Sequence, residues 1–166
     1  MVRSRGRLSL FIFPFVIAAG VSLSSPAVAQ PQIRQAPQPS VGFQGGVSID
    51  PEQGFVGVFW ESPPIGSRFS LRPGIDGGFG GDLRVATINI DFIARFPIGT
   101  SGWHFVQGGG PVIAITKVPA RDATETSAGG SYIIGFSHDE GFFGEFRIGG
   151  GNTPGLKMGA GYRLRF

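Results

Sequence analysis

Four consecutive residues late in the chain, Ser137, His138, Asp139 and Glu140, carry the side-chain types that a hydrolase uses. A serine hydroxyl acts as a nucleophile when a histidine within hydrogen-bond reach accepts its proton. Neighbouring residues of a β-strand point to opposite faces, so Ser137 and His138 meet only if this stretch is a turn. We interpret residues 137–141 as a turn and predict no catalytic residues there.

The other chemistry-bearing residues do not gather into a recognisable site. The chain has no cysteine and two histidines, His104 and His138. No group of His, Asp and Glu has the spacing of metal ligands. His104 follows Trp103 at the start of a predicted strand, and we interpret the pair as aromatic residues at a membrane interface. We predict no metal site, no cofactor and no enzymatic activity.

Charged residues instead alternate with apolar ones, most clearly in residues 156–166. One set of alternate positions holds Leu156, Met158, Ala160, Tyr162, Leu164 and Phe166, and the other holds Lys157, Gly159, Gly161, Arg163 and Arg165. A strict period of two predicts a β-strand with one apolar face and one small or cationic face.

Seven more strand-like segments precede this one, and they span residues 41–49, 55–61, 68–76, 85–96, 103–118, 131–136 and 142–149. The 29 glycines disfavour helix and the 16 phenylalanines favour strands. We interpret residues 77–82 as a flexible loop and expect residues 108–111 to interrupt the alternation of the fifth segment. The sequence predicts an all-β fold, an eight-stranded antiparallel up-and-down transmembrane β-barrel.

The first 40 residues have the features of an export signal followed by a tail. Three arginines precede an apolar run over residues 8–21, and Ala27-Val28-Ala29 forms a small-x-small cleavage site. We predict a cleavable signal peptide over residues 1–29, a Pro/Gln-rich disordered leader over 30–40 and the barrel over 41–166.

The predicted cleavage removes the charge imbalance of the chain. The full sequence has 14 Lys and Arg against 11 Asp and Glu, and three of the arginines precede the cleavage site. The processed chain therefore has 11 of each sign, which gives no support to nucleic-acid binding.

The distribution of charge predicts which strand face points outward. The apolar faces of the fourth, seventh and eighth segments carry no charge, as contact with lipid demands. An arginine or lysine facing lipid costs roughly 2–4 kcal/mol at mid-depth. We therefore place ten charged residues in a narrow interior, where they pair and fill the lumen as a plug. They are Arg68, Arg72, Asp76, Asp91, Arg95, Glu145, Arg147, Lys157, Arg163 and Arg165.

An even number of strands places both ends of the chain on one side of the membrane, which we expect to be the periplasm. The external connections then follow the first, third, fifth and seventh segments. Residues 119–130 form the longest and most polar of these, whereas the inner connections are short. We predict an external loop there that contacts a host or surface ligand through Arg121, Asp122, Thr124 and Glu125.

The end of the chain resembles the C-terminal signature of bacterial outer-membrane β-barrels. Gly161, Leu164 and Phe166 match its glycine, hydrophobic and aromatic positions, and Tyr162 lies between them. With the signal peptide and the glycine-aromatic strands, they make the chain similar to small eight-stranded outer-membrane barrels of the opacity-type and OmpA-like family. The resemblance implies a place in a Gram-negative outer membrane, contact with outer-membrane lipids, and insertion by the barrel assembly machinery that reads the signature.

Members of that family are structural envelope proteins or adhesins, and we expect a non-enzymatic role of this kind. Two alternatives stay open. Some eight-stranded barrels are lipid A deacylases that use Ser, His and an acid, which the residues around Ser137 resemble. A soluble periplasmic ligand-binding barrel has the same alternation with the opposite face inward.

Overall fold

Eight antiparallel strands close into a barrel in the computed structural model, which describes residues 38–80, 84–118 and 123–166. The strands are β1 Ser40–Ile49, β2 Glu52–Glu61, β3 Phe69–Phe79, β4 Arg84–Pro97, β5 Trp103–Val118, β6 Ala123–His138, β7 Phe142–Gly151 and β8 Leu156–Arg165. Each pairs with its neighbour in sequence, and β1 pairs with β8, so the predicted up-and-down topology is confirmed. The predicted signal peptide and residues 30–37 of the leader lie outside the described residues. The described residues contain no helix that is long and apolar enough to cross a membrane.

The outer wall of the barrel is apolar, and every strand contributes large side chains to it. Phe92 in the middle of β4 is 62% exposed, and Phe43 on β1 is 55% exposed. A soluble barrel turns this face inward, whereas a membrane barrel turns it toward lipid. The predicted orientation of a transmembrane barrel is confirmed.

Aromatic side chains concentrate at one end of this wall. We call this end, where β1 begins and β8 ends, the near mouth, and the opposite end the far mouth. The near-mouth aromatic belt consists of Trp60, Phe69, Trp103, Phe142 and Tyr162, all exposed on the outer wall. The rings of Phe142 and Tyr162 meet edge to face, with centroids 4.8 Å apart. Belts of this kind lie at the boundary between acyl chains and water.

Inward-facing glycines let large side chains fit into the narrow interior. A Cβ atom on Gly161 would lie 2.6 Å from Cζ of the Phe143 ring, and one on Gly42 would overlap the Phe59 ring. An eight-stranded barrel leaves room only for side chains, so the Phe59 and Phe143 rings fit because the residue paired with each on the neighbouring strand is a glycine.

Several strands are longer than the sequence pattern predicts. Residues 77–79, predicted as loop, belong to β3. The pairing of β4 with β5 keeps one register on both sides of residues 108–111, so these residues do not interrupt the alternation. The glycines lack side chains, which hides the period of two in the sequence. The pairing of β4 with β5 skips Gly110 and Pro111 and resumes in the same register.

The predicted external loop over residues 119–130 is wrong in its extent. Residues 123–130 belong to β6, where Thr124 pairs with Lys117 and Glu125 with Thr116. Polar residues mark a loop only weakly, and threonine is β-branched and favours strands. Arg121 and Asp122 lie outside the described residues.

The predicted contrast between long external and short inner connections is also wrong. At the far mouth the strand bounds leave residues 50–51, 80–83, 119–122 and 152–155 as connections. At the near mouth they leave residues 62–68, 98–102 and 139–141. All of these connections are short, and residues 62–68 are the longest stretch.

The far mouth has an uneven edge because β5 and β6 are longer than the next two strands. Each has 16 residues, whereas β7 and β8 have 10. Pairing of β6 with β7 ends at Gly129, so residues 123–128 have no β7 partner. We call residues 123–128 the free edge of β6; at about 3.4 Å per residue it is roughly 20 Å long.

The outer wall provides a direct test of membrane contact. Phe92→Arg should destabilise the barrel in phospholipid vesicles by about 2–4 kcal/mol, because the charge faces lipid near mid-depth. The free energy of unfolding in urea measures the change. Thr126→Arg, on the exposed outer face of the free edge, should stay within about 0.5 kcal/mol. Equal effects of the two substitutions would contradict a lipid-facing wall.

Candidate functional site

Ion pairs on the inner faces of five strands, β2, β3, β4, β7 and β8, form a layered cluster, which we call the charge stack. Its layer at the near mouth centres on Glu61, the last residue of β2. Arg95 donates to both carboxylate oxygens of Glu61, at 2.5 and 2.6 Å, and Arg72 Nε donates to it at 3.3 Å. Sequence reasoning missed Glu61 because both faces of this strand are fairly apolar. The alternation of Gln53, Phe55, Gly57, Phe59 and Glu61 was the available signal.

The second layer joins a cation to aromatic rings. Arg72 Nη1 donates to Glu145 at 2.7 Å. The guanidinium lies 4.5 Å from the ring centroid of Phe59 and 5.8 Å from that of Phe143. Those two rings pack edge to face with centroids 5.5 Å apart. The ring faces attract the cation, and the rings exclude water around the pair.

The third layer is a bidentate ion pair between β7 and β4. Arg147 donates from Nη1 and Nη2 to the two oxygens of Asp91, at 3.0 and 2.8 Å. Ser131 accepts a further hydrogen bond from Arg147 at 3.1 Å. Both ionised side chains are buried, so the parallel hydrogen bonds replace the water that each would otherwise bind.

The fourth layer, toward the far mouth, surrounds Asp76 with donors from three strands, β1, β4 and β8. Lys157 Nζ lies 3.3 Å from its Oδ2, Asn89 donates at 2.9 Å and Thr87 at 3.1 Å. Gln44 donates to the other oxygen at 2.6 Å. This carboxylate therefore has hydrogen bonds to both oxygens, and Gln44, Thr87 and Asn89 are contributors that the sequence pattern did not identify.

Seven of the ten predicted interior residues are buried in the stack, namely Arg72, Asp76, Asp91, Glu145, Arg147, Lys157 and Arg163. Arg95 is partly buried within it. Arg68 and Arg165 lie outside the enclosed stack, because Arg68 precedes β3 and Arg165 is the last residue of β8. Arg68 instead lies over the Phe96 ring, and Arg165 approaches Asp139 at 3.9 Å.

The stack separates two cavities. One, of about 330 Å³, opens at the near mouth, and another, of about 180 Å³, lies at the far mouth. Neither is lined by Arg72, Asp91 or Arg147. Beside the stack, Ile93, Val106 and Ile133 form an aliphatic cluster on the inner faces of β4, β5 and β6. Side chains thus fill the middle of the barrel.

The Ser-His-acid sequence does not form a catalytic arrangement. Ser137 is buried on the inner face of β6, and its hydroxyl has no hydrogen-bond partner among the described residues. His138 packs against the Trp103 ring and accepts a hydrogen bond from the Glu140 backbone at 3.2 Å. His104 is the cross-strand neighbour of Ser137. Among the described residues, no contact activates the serine.

His104 does not lie at the lipid interface. It lines the near-mouth cavity, with Nδ1 3.8 Å from the Asp139 carboxylate, whereas Trp103 is exposed on the outer wall. Among the described residues, no group of three His, Asp or Glu side chains is arranged to hold a metal ion.

The predicted assembly signal occupies both faces of β8 and the residue after it. Tyr162, Leu164 and Phe166 are exposed on the outer side, and Phe166 is 66% exposed. Gly161 lies on the inner side against Phe143, so it has a packing reason to be glycine that is independent of recognition.

The Arg147–Asp91 pair should be strongly coupled. Arg147→Met leaves a buried carboxylate without its cation and should cost about 3–5 kcal/mol in unfolding free energy. The double variant with Asp91→Asn should cost less than the sum of the two single variants, by about 1–3 kcal/mol. Urea unfolding in vesicles measures the cycle, with Arg84→Gln on the outer wall as a charge-matched control. Additive single effects would contradict the pairing.

The filled interior should prevent ion flow. We expect the purified barrel to show no large, steady conductance in planar bilayers, because the charge stack spans the lumen. Heat-modifiable migration on a gel verifies that the tested protein is folded, and a large porin verifies insertion under the same conditions. A large, steady current from the folded barrel would contradict the plug.

Solved structures with this architecture include the N-terminal β-barrel domain of OprF from Pseudomonas aeruginosa. It aligns with a TM-score of 0.62 and 12% sequence identity, and the alignment covers 79% of this chain and 98% of the OprF domain. The attachment invasion locus protein Ail of Yersinia pestis aligns with a TM-score of 0.42 and 13% identity over 76% of this chain and 97% of that one. Its complex with the heparin analogue sucrose octasulfate aligns at 0.36, with the same identity and coverage. No protein-family model and no curated protein matches the chain. The OprF alignment agrees with the closed barrel described above, and the chain has the fold of an eight-stranded outer-membrane β-barrel.

Proposed function

We propose that this chain resides in the outer membrane as a non-enzymatic barrel with a structural and surface-contact role. The apolar outer wall and the aromatic belt suit a lipid bilayer, and the buried charge stack suits an interior closed to ions. The near mouth faces the periplasm in this proposal, since the predicted export signal and leader precede β1. The far mouth then faces the cell exterior.

Two partners follow from this location. Outer-membrane lipids surround the wall of Phe, Ile and Leu side chains. The barrel assembly machinery recognises the end of the chain, where Tyr162, Leu164 and Phe166 present an exposed apolar row. These residues remain accessible on the outer side of β8, which supports a role in recognition before insertion.

The free edge of β6 is the observation that carries the surface-contact role. Its backbone has no β7 partner, and Thr124, Glu125 and Thr126 are exposed. An unpaired strand edge offers backbone donors and acceptors to another extended segment. The ligand-binding role predicted for a loop is therefore assigned to this edge and the adjoining residues 119–122.

The lipid A deacylase alternative has less support. Ser137 is buried close to the near mouth, whereas the outer leaflet is at the far mouth in this proposal. No histidine is hydrogen-bonded to its hydroxyl. A nucleophile needs both access to substrate and a base within reach. Release of fatty acid from lipid A by the purified barrel, lost in His138→Ala, would favour the enzyme instead.

Shortening the β5–β6 hairpin tests the proposed role. Removing the two cross-strand pairs Thr116–Glu125 and Lys117–Thr124 shortens the free edge and should abolish adhesion of expressing cells to a host-cell layer. Heat-modifiable migration of the protein in the outer-membrane fraction should persist. Alanine at Asn152 and Thr153, in the neighbouring far-mouth connection, leaves the hairpin intact and should preserve adhesion.

Two outcomes contradict the proposal separately. Adhesion that is unchanged in the shortened variant would remove the contact role of the hairpin. Recovery of the intact protein as a water-soluble monomer without detergent would remove the outer-membrane location.

A further inference from the structure

The charge stack contains one more cation than anion. In the described part of the chain, its enclosed cations are Arg72, Arg95, Arg147, Lys157 and Arg163, and its carboxylates are Glu61, Asp76, Asp91 and Glu145. Four short pairs use all four carboxylates: Lys157 with Asp76, Arg147 with Asp91, Arg72 with Glu145 and Arg95 with Glu61. Arg163 is the cation left over.

Arg163 is buried without adequate pairing. Its side chain is 4% exposed, and its nearest carboxylate oxygen is Oε1 of Glu61, 3.6 Å from Nη1. That same oxygen already accepts a 2.5 Å hydrogen bond from Arg95. The Nε atom of Arg163 has no acceptor among the described residues, and neither does Nε of Arg95. A buried guanidinium normally has acceptors for its fork of donors, so Arg163 retains the capacity to bind an anion.

The surplus cation lies at a cavity and not in the sealed centre. The near-mouth cavity, of about 330 Å³, is lined by Arg163 together with Arg68, Arg95 and Arg165. Its acidic lining residues are Glu61 and Asp139. Four arginines against two carboxylates leave a formal excess of +2, and Asp139 is itself within 3.9 Å of Arg165.

The cavity has room for a small anion and its hydration water. At about 30 Å³ per water molecule, a volume of this size corresponds to roughly ten waters. Three serines, Ser40, Ser67 and Ser70, also line it and carry hydroxyl groups that can act as neutral donors. A cleft lined by an excess of positive charge concentrates anions at its mouth.

We propose that the near-mouth cavity binds a small oxyanion, a carboxylate or a phosphate, against the guanidinium of Arg163, with Arg68 and Arg165 at the entrance. Both anion types offer two oxygens to the planar fork of an arginine, which a chloride ion does not. The site is at the opposite end of the barrel from the free edge of β6, so it is independent of the surface-contact role.

Titration of the folded barrel in detergent micelles tests the site. Inorganic phosphate is followed by the broadening of its phosphorus-31 resonance, and acetate by saturation transfer from the protein to its methyl protons, both against chloride at constant ionic strength. The wild-type barrel should bind phosphate, acetate or both in a saturable manner. Arg163→Gln should weaken that binding by about tenfold or more, because a charge-assisted contact is lost.

Arg84→Gln is the matched control, because it removes one exposed positive charge at the far end of the outer wall and should leave binding unchanged. If Arg163→Gln does not fold by heat-modifiable migration, Arg68→Gln and Arg165→Gln lie outside the buried stack and should each weaken binding. Binding of phosphate alone identifies a phosphate source, and binding of acetate alone identifies a carboxylate source such as a peptide end; each supports the proposal. Binding no tighter than chloride, or an equal loss in Arg163→Gln and Arg84→Gln, would overturn it.

Discussion

Charged side chains on the strands of this barrel are confined to its inner face and its edges, because an arginine facing lipid costs roughly 2–4 kcal/mol near mid-depth. The outward-facing charges of the described strands, Glu52, Arg84 and Lys117, all lie at strand ends by the far mouth. Inside, a lumen of this width holds side chains and little else, so each charge must find its counter-charge across the barrel. The four layers of ion pairs, the filled centre and the cavity at each mouth all follow from this confinement.

Ion pairs alone would add little stability to the interior, because removing two charges from water costs about as much free energy as their attraction returns. The barrel offsets that cost in two ways. Neutral donors complete the carboxylates, as Gln44 and Asn89 do for Asp76. Aromatic rings receive the cations, as Phe59 does for Arg72 and Phe55 for Lys157. Glycines on adjacent strands make the space for these side chains. The high glycine content of the chain is therefore a requirement of its filled, polar interior.

The sequence was sufficient for the eight strands, their orientation and most of the stack, because a period of two and the position of charge are local signals. It was not sufficient for Glu61, whose strand has phenylalanines on its inner face as well as apolar residues on its outer face. It also misplaced residues 123–130, because their polarity indicates a loop although threonine favours strands, and the long β5 strand pairs with them. Arg68 and Arg165 fall on the alternate positions that face the interior. Alternation does not say how far along the barrel axis a residue lies, so it could not show that both are at the near mouth.

The layers of the stack also bear on how the barrel closes. The partners in each cross-lumen pair are far apart in sequence: 56 residues for Asp91 and Arg147, 73 for Arg72 and Glu145, and 81 for Asp76 and Lys157. An open sheet of the first four strands would hold Arg72, Asp76 and Asp91 without these counter-ions from β7 and β8. The pairs therefore favour only the complete cylinder, and a half-formed barrel gains little from them. The cross-lumen pairs thus add an electrostatic contribution to the cooperativity that closure of the backbone ladder provides.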